Sequence, residues 1–167
     1  DPGFEDPREI FNAHWDLEAA RLMDKVPKDR RAKIEPGLLR IAERGRQLTL
    51  VQHAETRVEL GRKMNFFHDT YDLLMMPAMP ITGFTAGHDL ADMDTQEDWI
   101  DWSPFTYRFN PTGQPAYVMP CGFTELDMPV SLKTVGPRHA GLLVMRFSGA
   151  FYHFRPFQMP DTVNVTH

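Results

Sequence analysis

Tyr71-Asp72-Leu73-Leu74-Met75-Met76-Pro77 is the stretch on which the reading of this sequence turns. It is a short apolar run stopped by proline, and it follows a long segment of helical character. Thr49 and Gln52 form a capping-box pattern, and Val51, Ala54, Val58 and Leu60 follow at near-helical spacing. That helix extends to about Phe67 or Tyr71, with Gly61 as its weak interior position. An apolar run of this length after a long helix predicts a buried strand of a parallel or mixed sheet.

Upstream, residues 6–24 predict a helix. Asp6 suits a cap, Pro7 the first helical position, and Glu9 stands three residues after the cap. Ile10, Ala13 and Leu17 share one face, with Phe11, Trp15 and Leu22 beside it. A second helix is expected over Pro36–Arg46, with Gly45 near its end. Downstream, residues 78–102 are aperiodic and predict a long surface loop, a kind of segment that tends to be functional or mobile. A short helix is expected from Ser103-Pro104 to Asn110. Ala116–Met119 and Met128–Val135 are expected as strands, joined by a turn over Pro120–Glu125. A closing helix over Arg138–Phe154 has Leu142, Met145, Gly149 and Tyr152 on one face. The class is α/β or α+β, and three strands are few for 167 residues, which suggests part of a larger sheet.

Hydrophobic residues make up 42% and charged residues 25%, the balance of a soluble globular protein. No apolar run approaches the roughly 20 residues that span a bilayer, so a membrane span is not expected. The net charge is −5, and the one basic cluster, Lys28, Arg30, Arg31 and Lys33, is diluted by Asp29 and Glu35. That pattern fits a solvated helix face rather than a nucleic-acid grip. Cys121 is the only cysteine, which suits a reducing, cytoplasmic setting. No His-Glu-x-x-His or paired cysteines suggest a metal, and no cofactor is expected. The chain opens at Asp1-Pro2-Gly3, as if cut from a longer polypeptide.

Four ordered blocks carry a resemblance. They are Phe67–Pro80, with its Tyr-Asp-Leu-Leu and proline-punctuated turn; Phe105–Ala116, with Asn110, Gly113, Gln114, Pro115 and Ala116; Pro120–Phe123; and Pro129–Leu132 running on to Val135-Gly136-Pro137. Together they resemble the C-terminal third of the amidase-signature hydrolases. Departures are Ala78, where threonine is more usual, and Ser131 and Lys133, which replace the common Gly and Gln of the last strand. The departures bear on the substrate rather than on the fold.

The resemblance implies an α/β fold in which residues 1–167 are the C-terminal part of one amidase-signature domain with a mixed sheet. It also implies a parent enzyme that hydrolyses a carboxylic amide to an acid and ammonia or an amine, through a Ser–cis-Ser–Lys triad. The triad belongs to a Gly/Ser-rich stretch in the N-terminal half, and that part is expected to be absent here. The three serines, Ser103, Ser131 and Ser148, are isolated, so no catalytic residue is assigned. A Cys121–His139 pair is the weaker alternative.

For substrate contacts, Arg57 lies where glutamine-using members place a carboxylate-binding arginine, and its fork suits that role. The acid that accompanies it in those members is replaced by Ser103. Trp99, Trp102 and Phe105 form an aromatic cluster suited to an apolar acyl pocket. The expected partners are a small amide substrate and either the missing N-terminal part or a second copy of the chain. The alternatives are a non-catalytic partner-binding module and the glutamine-dependent member of an amidotransferase.

Overall fold

A computed structural model describes residues 6–88, 90–96 and 100–157, and within the long third helix the side chains at 50, 52, 53 and 55–57 lie outside that description. The expected Thr49–Gln52 capping pair therefore falls outside the described side chains. The chain divides into two compact units, Asp1–Met64 and Asn65–His167.

In the first unit, α1 spans Arg8–Asp24 and α2 spans Pro36–Arg46. The cap position falls on Pro7 rather than on Asp6 as expected, one residue later, and Asp6 accepts a hydrogen bond from the Arg8 backbone N–H at 3.1 Å. Glu35 caps α2, accepting from the Leu38 N–H at 3.0 Å. The Gly37 and Leu38 N–H groups hold its carboxyl below the usual carboxylate range. The basic run Lys28–Lys33 is a 3-10 helix. Its Arg31 turns back to donate to the carbonyls of Val26 (3.1 Å) and Met23 (2.8 Å) at the end of α1.

The core between α1 and α2 is Ala19, Met23, Ile41 and Ala42, flanked by Val26, Ile34, Leu38 and Leu39. The face expected inward on α1 (Ile10, Ala13, Leu17) is only half-buried, and Trp15 and Leu22 are exposed. The buried stripe is Phe11, Asp16, Ala19, Ala20 and Met23. Periodicity missed it because the stripe includes an aspartate. Asp16 is buried because Arg44 of α2 meets it with both ends of the guanidinium fork, at 2.9 and 3.0 Å. The two helices approach so closely there that a methyl group at Gly45 would overlap the Asp16 carbonyl.

The third helix, α3, spans Leu50–His68 and crosses the division between the units. In the second unit, β1 (Leu74–Pro77), β2 (Ala116–Phe123) and β3 (Pro129–Val135) form one sheet in the order β1-β3-β2, with both pairings antiparallel. The α/β character and the shared sheet are as expected. The apolar run differs from expectation in detail. Only Leu74–Pro77 pairs, antiparallel to β3, with alternate residues exposed. β2 does not stop at Pro120; it continues through a bulge between Pro120 and Gly122 to Phe123. Proline is tolerated because β2 is an edge strand among the described residues, and its outer side needs no ladder donor there. The turn falls later, where the Thr124 hydroxyl accepts the Leu126 and Met128 N–H groups, both at 3.2 Å.

The expected helix from Ser103 to Asn110 shrinks to a 3-10 turn at Tyr107–Phe109. The Arg108 side chain takes the Pro104 carbonyl at 3.0 Å, the acceptor that an α-helix would have offered to its own backbone N–H. The next block is tied to the end of β3. Gln114 donates to the Gly136 carbonyl (3.2 Å), and Arg138 donates twice to the Thr112 carbonyl (3.1 and 2.7 Å). Gly113 takes φ +66 in that turn, which a side chain would oppose.

Helix α4, Gly141–Phe154, covers the sheet face that carries Tyr117 and Met119. Its Tyr152 hydroxyl is pushed above the ordinary tyrosine range by burial, with Tyr117 and Cys121 adding to the effect. Its buried residues are Val144 and Ser148, whereas Leu142 and Met145 of the expected inward face are exposed.

A candidate substrate cavity on the free face of the sheet

Side chains alternate along a strand, so Val118, Ser131 and Lys133 stand on the sheet face opposite α4. They floor a cavity of about 450 Å³. Its walls come from the chain after β1, with Met79, Ile81 and Phe84, and from Trp102 and Thr106 ahead of the 3-10 turn. Trp102 meets Phe84 edge to face at 5.5 Å. Its indole Nε1 is buried and has no hydrogen-bond partner among the described residues.

Lys133 is only 4% exposed. Its ammonium donates to the Phe105 carbonyl at 3.2 Å and to the Thr106 hydroxyl at 2.8 Å. The Thr106 hydroxyl lies 3.8 Å from the Met79 sulfur. Burial pushes the Lys133 amine below the ordinary lysine range, because a charged group loses solvation there. The lysine forms no ion pair among the described residues. Ser131 shares the cavity, but the hydrogen bonds of Lys133 go to Phe105 and Thr106, so the two do not form a Ser–Lys relay.

The sequence-derived candidates fall out unevenly. Trp102 lines the cavity. Phe105 acts through its carbonyl, which fixes Lys133, and is not itself among the lining residues. Trp99 lies outside the described residues. Arg57 lies on α3, with its side chain outside them. Cys121 donates to the Val130 carbonyl at 3.6 Å and makes no hydrogen bond to a histidine among the described residues. Sequence reasoning missed Phe84 and Met79, which sit in aperiodic sequence, and Lys133. The signal for Lys133 was present: a lysine alternating with apolar residues in Val130–Val135 points to one face of the strand.

A family model described as Amidase matches residues 9–141. This chain belongs to the amidase family. It is 27% identical over 137 residues to an acylamidase of Rhodococcus erythropolis, a match covering 78% of this chain and 28% of that protein. It is 33% identical over 67 residues to the A component of the glutamyl-tRNA(Gln) amidotransferase of Halothermothrix orenii, covering 40% of this chain and 13% of that protein. Among solved structures it is similar to 6-aminohexanoate cyclic dimer hydrolase, with a TM-score of 0.76 and 19% identity over 98% of this chain and 38% of that one. A bacterial aryl acylamidase of the amidase signature enzymes gives a TM-score of 0.73 and 22% identity, over 94% and 36%. Those structural likenesses bear on the fold. The chain spans under two-fifths of the length of each of these relatives. No described helix is long and apolar enough to cross a membrane.

Proposed function

We propose that this amidase-family chain supplies a substrate-binding part of an enzyme that hydrolyses a carboxylic amide to an acid and ammonia or an amine. The observation that carries the reading is the cavity of about 450 Å³, mostly apolar on its walls and lined by Trp102, whose buried indole N–H has no acceptor among the described residues. A buried donor without an acceptor costs free energy, and an amide carbonyl between apolar substituents supplies the acceptor. Trp102 is assigned to the substrate and Phe105 to holding the wall beside it.

The Ser–cis-Ser–Lys chemistry is assigned to polypeptide outside these residues, with the chain as the C-terminal third of the domain, associated with its N-terminal part or with a second copy of itself. The lone half-buried Cys121 supports a reducing, cytoplasmic setting. The likeness to the acylamidase extends over 137 residues, against 67 to 99 for the amidotransferase components, and this favours the amidase over the amidotransferase.

Titrating the ¹⁵N-labelled protein with 4-phenylbutyramide tests the cavity. The Trp102 indole N–H resonance, identified by its loss in Trp102→Phe, is expected to move downfield and to saturate. A folded protein whose Trp102 resonance stays fixed contradicts the assignment.

A further inference from the structure

Lys133 presents a chemistry that the amide reading alone does not use. Its side chain is more than nine-tenths buried, it carries three donors, and two of them are engaged by Phe105 and Thr106. Neither partner carries a charge, and no carboxylate among the described residues pairs with it. A buried cation is ordinarily paired. The Trp102 indole N–H is a second buried donor, without an acceptor among the described residues. Both residues line the same cavity, and its remaining walls are mostly apolar. Two spare donors, one of them cationic, call for a ligand rich in acceptors and negative in charge at one end. A carboxylate has two such oxygens, and a charge-assisted hydrogen bond is roughly twice as strong as a neutral one.

We propose that the cavity selects ligands with an apolar body and a carboxylate end, and that Lys133 holds the carboxylate. The substrate class is therefore an amide that also carries a carboxylate. This rests on the reading of the cavity as the amide-binding pocket. Trp102 keeps the amide carbonyl of the ligand, and Phe105 and Thr106 position the ammonium. Phosphate is disfavoured as the charged end, because a single lysine offers too few donors to a dianion flanked by Met79, Ile81 and Phe84.

The test compares 4-phenylbutyrate with its neutral counterpart 4-phenylbutyramide on the 167-residue protein, by calorimetry at pH 7 and low salt. The carboxylate is expected to bind about tenfold more tightly or better, a margin in keeping with one added charged hydrogen bond. In Lys133→Met and Lys133→Gln the two ligands are expected to come within about twofold of each other, because the charge that distinguishes them is lost. Equal binding of both ligands by the unaltered protein overturns this inference and leaves the amide pocket standing. A preference that survives in both variants overturns the role of Lys133. Failure of both ligands to bind overturns the inference together with the pocket reading. The comparison in the unaltered protein decides the matter even if a variant fails to fold.

Discussion

Gly45→Ala is expected to cost about 3 kcal/mol of stability, at the upper end of overpacking penalties. The atoms that an added methyl would strike are the carbonyl of Asp16 and the backbone N–H of Leu17. Neither can swing aside as a flexible side-chain tip can, so α1 and α2 must separate. Separation loosens the contacts of Ala19, Met23, Ile41 and Ala42. It also lengthens the Asp16–Arg44 pair, leaving a buried carboxylate less well matched. Alanine is the better helix former by roughly 1 kcal/mol, so a loss of stability runs against propensity and isolates the steric effect. Urea unfolding followed by circular dichroism measures it. A loss below about 1 kcal/mol would mean that the helices are not in close contact there.

Met119→Ala is expected to cost about 3 kcal/mol as well, by a cavity rather than by a clash. Met119 is fully buried, paired with Leu132 across β2 and β3, on the sheet face that α4 covers. Val118, one residue earlier, faces the substrate cavity. The same unfolding experiment on Val118→Ala is expected to show a much smaller loss, because Val118 is 45% exposed. Similar losses at the two positions would contradict the assignment of the two faces.

How far these features were legible follows from where each signal resides. The helices α1, α2 and α3 and the existence of three strands were visible because apolar spacing and proline placement are local. The inward face of α1 was not, because Asp16 is buried only through Arg44, 28 residues away. The inward face of α4 was missed for a related reason. That helix is apolar on most sides, so periodicity could not choose Val144 and Ser148 over Leu142 and Met145. The antiparallel pairing of β1 depends on its partner and leaves no mark in an apolar run. The end of β2 was obscured because Pro120 looks like a stop unless the strand is known to lie at an edge.

The cavity was half-legible. Trp102 announced itself as part of an aromatic cluster, and the family resemblance marked Lys133 as a departure. That Lys133 and Trp102 share one cavity is a fact of tertiary structure.

This chain is expected to bind an amide without cleaving it. Incubating the purified 167-residue protein with 4-phenylbutyramide and following ammonia release tests it directly. No release above the buffer rate is expected at ligand concentrations that saturate the Trp102 shift. Ammonia release that disappears in Ser131→Ala or Cys121→Ala would contradict it, by showing that an active site lies within these residues.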